Sequence, residues 1–355
     1  MGLIPEIAGH MAKRRAVGIR DVARESQASL TTVSLILNKR DRKISRATRE
    51  RVLRVVRQLG YRPSRLAQGL QAQKAGFLAV LVPQLRHAFA DAYFGELISA
   101  IQETASRHDY KLLLEVANED YVASHQHLEL FRRHYVDGLL CMGVTNLDTY
   151  LSDFSEGGPP MLVVNNYLPE LKLNHVKCDY VQAGRLAGDH LLGLGHRHLA
   201  MIHGATEVQT TTDLKVGFAS ALAKRSLHLA DDRFVDGLYT EEGGALAVIG
   251  LMRKHPEITG ILAGNDKMAI GAISGLKSLG LKVPQHVSVI GCDDMHQAEF
   301  CDPPLTTIHT PIYELGQRAC ELVLELIEGE SDTVEETHPV HLTLRKSTCP
   351  PAQIG

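Results

Sequence analysis

Three pairs of polar residues each close an apolar run in the larger part of the chain: Asn165-Asn166, Asn265-Asp266 and Asp293-Asp294. Amides and carboxylates can each exchange two hydrogen bonds with one partner, so their convergence would suit a small polyhydroxylated or amine-bearing ligand. Asx residues at strand ends also cap the helix that follows, which is the role expected of Asp266 and of at least one of Asp293 and Asp294. Two adjacent carboxylates do not define a glycosidase pair, because a sugar must sit between the two acids. No Gly-x-Gly-x-x-Gly follows the first apolar run of this region and Gly-Lys-[Ser/Thr] is absent. Nucleotide-dependent catalysis therefore lacks a phosphate cradle, no catalytic residue is assigned, no cofactor is expected, and the chain is not read as an enzyme.

Histidines His125/His127 and His196/His198 are each separated by one residue. A helix would point such rings to different faces and a strand would point them the same way. No metal is expected at either pair. The cysteines at 141, 178, 292, 301, 320 and 349 form no Cys-x-x-Cys, which favours buried thiols in a reducing cytoplasm over disulfides or zinc.

The elements behind these residues are legible as short apolar runs alternating with amphipathic segments. One series covers 77–83, 110–116, 136–143 and 160–166, and a second covers 175–180, 198–204, 260–265 and 287–294. Near-continuous apolar strands separated by helices predict an α/β fold with parallel sheets covered on both faces, and two series predict two lobes. Ligands on such sheets bind beyond the carboxyl ends of the strands, where the polar pairs stand.

The amino-terminal part has a different charge. Residues 12–74 carry 17 Lys and Arg against 4 Asp and Glu, whereas the rest carries 21 against 37, so a whole-chain balance of −3 hides +13 and −16. A concentrated cationic surface displaces counterions from a phosphate backbone, so this segment is expected to bind DNA. Ile19, Val22 and Ala23, then Val33, Ile36 and Leu37, then Val52, Val55, Val56 and Leu59 recur at helical spacing and predict three short packed helices. Ser29 and Ser45 are placed to cap the second and third, while Gly60 and Pro63 stop the third. In a helix-turn-helix the early residues of the second helix meet base edges, which selects Leu30, Thr31 and Leu35. Flanking polar groups hold phosphates, which selects Ser29, Thr32, Ser34, Asn38, Ser45 and Thr48.

The run Asp21-Val22-Ala23-x-Glu25, then Ser29-x-x-Thr32-Val33-Ser34-x-x-Leu37-Asn38, then Ile44-Ser45-x-x-Thr48-Arg49-Glu50-Arg51-Val52 and Leu59-Gly60-Tyr61-Arg62-Pro63-Ser64 resembles the head of the lactose/galactose repressor family. The likeness extends through Leu194-Gly195-His196-Arg197, Asn265 to Gly271, Val287 to Asp294 and Pro303 to Ile308. It implies a helix-turn-helix head at 12–62 and a hinge helix at 63–74. The body at 75–355 would then be a two-lobed effector-binding and dimerisation domain like periplasmic sugar-binding proteins. Residues 1–11 read as a remnant or disordered extension ahead of an alternative start at Met11. The family hinge pushes a leucine into the minor groove, a role that falls on Leu70 with Ala67 beside it. Matching positions put Asn165, Asn265 and Asp293 in the effector site, with Leu214 where the family carries an arginine. Leu214 removes a fork-shaped donor and counts against a typical sugar, as does the absence of tryptophan. Gln27 stands where the family turn has glycine, Gly18 where the first helix starts with threonine, and Leu35 where arginine reads guanine.

The expectation is a cytoplasmic, homodimeric repressor of a metabolic operon, bound to a pseudo-palindromic double-stranded operator and switched by a small-molecule effector, with no membrane partner. A transport binding protein would need an export signal and no cationic head. A regulator answering to a protein co-regulator remains the alternative to a small effector.

Overall fold

The computed structural model describes residues 17–37, 43–61, 74–83, 91–155, 157–330 and 333–352. Asn38, Ala67 and Leu70, and the extension at 1–11, lie outside the described residues. The chain divides into two units, residues 1–75 and 76–355.

In the first unit three helices, α1 (Ile19–Glu25), α2 (Leu30–Leu37) and α3 (Arg46–Leu59), close on one small core. Val22, Ala23, Val33, Ile36, Val52 and Val55 are buried together, flanked by Ile19, Leu37, Val56 and Leu59. Gly18 caps α1 from an extended backbone, its N–H donating to Asp21 Oδ2 at 2.9 Å, so the helix begins one residue after it. Gln27 adopts φ +50°, the left-handed turn that glycine makes without strain. The α3 C-cap is Gly60 in the left-handed region.

The second unit contains two six-stranded sheets. The first has the order β11-β5-β4-β3-β1-β2, the second β12-β10-β9-β8-β6-β7. Their strands are β1 (Phe77–Pro83), β2 (Lys111–Ala117), β3 (Gly138–Met142), β4 (Met161–Val164), β5 (His175–Cys178), β6 (Leu199–His203), β7 (Phe234–Asp236), β8 (Gly260–Ala263), β9 (Ser288–Asp293), β10 (Thr306–His309), β11 (Glu335–His338) and β12 (His341–Thr343). All pairings are parallel except β10 with β12. The chain builds β1–β5 in one lobe and β6–β10 in the other. It then returns through the Ile312–Glu328 helix to add β11 to the first sheet and β12 to the second. The central strands β3, β4, β6, β8 and β9 are buried along their whole length, as double-sided cover requires.

Close helix packing in the second lobe depends on glycine. A Cβ on Gly217 would meet the Val181 carbonyl oxygen at 1.9 Å, so the Tyr180–Gly193 and Gln209–Ala223 helices touch backbone to backbone. His196 is a structural pin: Nδ1 pairs with Thr259 Oγ1 at 2.9 Å, and Nε2 with the Cys349 carbonyl at 2.9 Å and Ser288 Oγ at 3.1 Å. All six cysteines are free thiols, with Cys141, Cys178, Cys292 and Cys320 buried.

Candidate functional site

On the head, the amino ends of α2 and α3 carry the same constellation. Ser29 Oγ accepts from the Thr32 N–H at 3.0 Å and pairs with the Thr32 hydroxyl at 2.8 Å. Ser45 Oγ accepts from the Thr48 N–H at 3.3 Å and pairs with the Thr48 hydroxyl at 2.9 Å. Each helix start therefore offers two hydroxyls beside unpaired-end backbone donors and the positive pole of the helix, an arrangement suited to a phosphate. Thr31 is exposed, as are Leu30 at 46% and Leu35 at 36%, while Val33 and Ile36 turn inward and Ser34 is half-buried. An exposed leucine side chain can meet only apolar features, such as a thymine methyl on DNA. Not every arginine of α3 is free for DNA. Arg51 Nε donates to the Ser26 carbonyl at 2.9 Å and ties α3 to the turn, and Arg46 pairs with Glu50.

In the body, a cavity of about 590 Å³ lies between the carboxyl ends of the two sheets and is lined by Asn165, Leu214, Asn265 and Asp293. Asn165 is left-handed (φ +54°), and both protons of its amide nitrogen are engaged. Its Nδ2 donates to the Tyr93 hydroxyl at 2.5 Å and the Tyr180 hydroxyl at 2.8 Å, and Oδ1 accepts from the Cys178 N–H at 3.1 Å. It therefore acts by fixing two phenols that line the same cavity. Burial raises the pKa of both phenols well above the ordinary value, so they stay neutral donors.

Asn265 is the N-cap of the Asp266–Ser278 helix, its Oδ1 accepting from the Met268 N–H at 2.8 Å. This corrects the expectation that Asp266 caps: the helix begins with Asp266, whose carboxylate instead accepts from Thr307 Oγ1 at 2.5 Å and the Met295 N–H at 2.7 Å. Burial pushes its pKa up to about 7. Neither Asp293 nor Asp294 caps the helix after β9, whose N-cap is Met295 without a side-chain bond. Both aspartates have positive φ, +110° and +60°, so the chain turns sharply before the helix starts. Asp294 is held by Arg345 at 2.6 Å, Thr343 at 3.0 Å and His309 at 3.1 Å, binding β10 and β12 to the end of β9. Asp293 faces the cavity, and burial, then Asp266 and Asp91, push its pKa well above the carboxylate range despite Lys267.

Several cavity residues had no sequence signal. Tyr93, Tyr180 and Tyr239 sit on helix starts or a loop, and the Tyr239 ring reaches in only because residue 204 is glycine, where a Cβ would lie 1.9 Å from it. Asp91, the N-cap of the Ala92–Arg107 helix in the first lobe, forms an ion pair across the cleft with Lys267 of the second. Further polar links join the lobes. The Asn146 N–H donates to the Glu207 carbonyl at 2.7 Å, and Asp213 receives Tyr167 Oη at 3.1 Å and Lys177 Nζ at 3.4 Å. The lobes are thus clasped shut around a cavity of metabolite size.

Comparison with known proteins agrees with both halves. Residues 18–64 match the model of bacterial regulatory proteins of the lacI family, and residues 188–348 match a periplasmic binding protein-like domain. The HTH-type transcriptional repressor CytR of Escherichia coli (strain K12) is 32% identical over 315 residues, 89% of this chain and 91% of that protein. A LacI family transcriptional regulator from Enterococcus faecium, solved with bound ribose, is 30% identical with a TM-score of 0.66, covering 77% of this chain and 99% of its own. The lac repressor dimer bound to operator and an anti-inducer shares the fold, with a TM-score of 0.84 at 24% identity over 94% of this chain and 100% of its own. With a cation-rich three-helix head, a two-lobed α/β body and a full-length relative at this identity, the chain belongs to the lacI family of bacterial DNA-binding transcriptional regulators.

Proposed function

We propose that this regulator works as a homodimeric repressor on a pseudo-palindromic operator, each head reading one half-site, and that a polar metabolite in the interlobe cleft sets its affinity. The observation that carries the reading is the interlobe cavity of about 590 Å³ walled by Tyr93, Tyr180, Tyr239, Asn165 and Asp293. Leu30, Thr31 and Leu35 meet base edges; Ser29, Thr32, Ser34, Asn38, Ser45 and Thr48 hold phosphates; Leu70, beside Ala67, wedges a minor-groove step. Dimeric action is supported by the operator-bound dimer of the lac repressor, and a small effector by the ribose held in the Enterococcus relative. Leu214, 2% exposed at the cavity wall, offers an apolar patch where a fork-shaped donor would grip a sugar, so the ligand presents an apolar face there. The role is regulatory, with no catalytic step and no cofactor, in the cytoplasm where the operator lies. Domain limits follow the same reading, with head 12–62, hinge 63–74 and body 75–355.

The test is selection of duplexes from a random pool by the full chain, then anisotropy titration of the selected and a scrambled duplex at several salt concentrations, with and without a metabolite panel. Expected are a selected palindrome, a logarithm of affinity that falls by ~0.9 per phosphate neutralised for each tenfold rise in salt, and a shift of operator affinity by one class of metabolite. Leu70→Ala should weaken the selected duplex much more than the scrambled one. Equal losses on both would remove the wedge assignment, and no preference among duplexes would remove the whole reading.

A further inference from the structure

Outside the cleft, three ligand-type atoms converge on the first lobe. His125 Nδ1, His127 Nε2 and a carboxylate oxygen of Asp153 all lie within 4.8 Å of one another. Asp153 Oδ2 is 3.0 Å from His127 Nε2 and 3.7 Å from His125 Nδ1. Neighbouring ligands around a tetrahedral zinc stand ~3.4 Å apart at ordinary bond lengths, so small adjustments of the exposed ring would satisfy a common ion.

The backbone explains how two histidines one residue apart come together. His125 is not inside the Gln126–Arg132 helix but caps it from the left-handed region at φ +50°, which swings its ring to 5.7 Å from that of His127. Neither regular alternative weighed from the sequence, helix or strand, applies. A left-handed non-glycine residue costs of order 1 kcal/mol, which the surrounding fold must offset. Asp153 comes from a separate element, the Thr149–Phe154 3₁₀ helix.

A plain imidazole–carboxylate hydrogen bond would account for His127 alone. It does not account for the third donor, which is 63% exposed and yet stands over the same oxygen. Nor does it account for the other side of His127, fully buried among Tyr121, Tyr150 and Phe154. There Nδ1 has no hydrogen-bond partner, and the hydroxyl of Tyr121, whose ring is 6.4 Å away, has none either. When Nε2 binds a metal, the imidazole proton sits on Nδ1, which carries no other hydrogen bond here.

We propose that His125 Nδ1, His127 Nε2 and the Asp153 carboxylate form a site for a borderline divalent transition-metal ion of the zinc class, with solvent completing the coordination on the exposed side. Two imidazole nitrogens and one carboxylate select against magnesium and calcium, which demand oxygen. Such an ion would staple the helix after His125 to the 3₁₀ helix.

The test uses the full chain without any added histidine tag, dialysed against zinc and assayed for bound metal, alongside His125→Ala, Asp153→Asn and the double variant. These two positions are altered because His127 is buried in the core, so the fold is kept. Expected is one more zinc per chain in the unaltered protein than in the double variant, with affinity at least ~10-fold weaker in each single variant. Cobalt(II) should give visible absorption of tetrahedral character that the double variant lacks, and zinc but not magnesium should raise the melting temperature of the unaltered protein alone. Equal zinc content, no variant-dependent cobalt band and an unchanged melting shift would assign the metal to the other 16 histidines and overturn the site. Effector and operator binding are read separately, so this outcome leaves the regulatory reading standing.

Discussion

Asp266 carries a carboxyl group that the fold prefers protonated, because burial outweighs its bonds from Thr307 and Met295 and lifts its pKa from 3.8 to about 7. A folded pKa above the unfolded one means the native state binds the extra proton. The stabilisation is complete below the unfolded pKa and is lost as pH rises through about 7. Asp293 shifts the same way. The urea midpoint should therefore fall between about pH 4 and about pH 7 and level off above, and Asp266→Asn should flatten that fall. A variant with the same slope would show that Asp266 does not carry it. At this scale the sequence is partly transparent: Asn165, Leu214, Asn265 and Asp293 stand at the cavity because strand ends and family positions mark them. The division of labour among Asx residues was not legible, since capping depends on where the helix starts, and Asn265 precedes Asp266 by one residue. Tyr93, Tyr239 and Asp91 have no spacing signal at all, and the pairing of Lys267 with Asp91 arises only where the two lobes meet.

At the scale of elements, the pair of helices Tyr180–Gly193 and Gln209–Ala223 rests on missing side chains. Besides Gly217, a Cβ on Gly184 would lie 2.0 Å from the Leu214 carbonyl oxygen, with backbone on the other side that cannot yield. Gly217→Ala should destabilise the second lobe by about 3 kcal/mol or more through forced separation of the helices, read as a lowered urea midpoint. Because Leu214 and Asp213 ride on the displaced helix, the cleft wall would shift with it. Retained stability would mean that the helices part without cost. Apolar runs place the strands to within a residue or two, and β1 matches its run at both ends, but the 175–180 run, grouped with the second lobe, forms β5 of the first sheet, because it pairs with β4 before the chain crosses over. Four strands had no such signature. β7 is three residues long, β10 is threonine-rich, and β11 and β12 are edge strands of mixed polarity whose pairing is decided by the returning chain.

For the molecule as a whole, the clasps across the cleft give the two lobes a defined closed state. The Asn146 N–H is satisfied by the Glu207 carbonyl of the opposite lobe, so its hydrogen exchange reports closure directly. Replacing the Asp91–Lys267 pair by Asn and Met should speed exchange at Asn146, and effector should slow it again. An unchanged rate would place the latch elsewhere, for example at the link of Tyr167 and Lys177 to Asp213. The return path of the chain carries a separate consequence for biosynthesis. β11 and β12 finish both sheets within residues 335–343, and the Ser347 hydroxyl donates to the Val289 carbonyl while the Cys349 carbonyl receives His196, far inside the second lobe. A nascent polypeptide on the ribosome can fold its head early, but neither half of the sensor can be finished until the last segment emerges. A premature stop codon near position 330 would consequently cripple both lobes together.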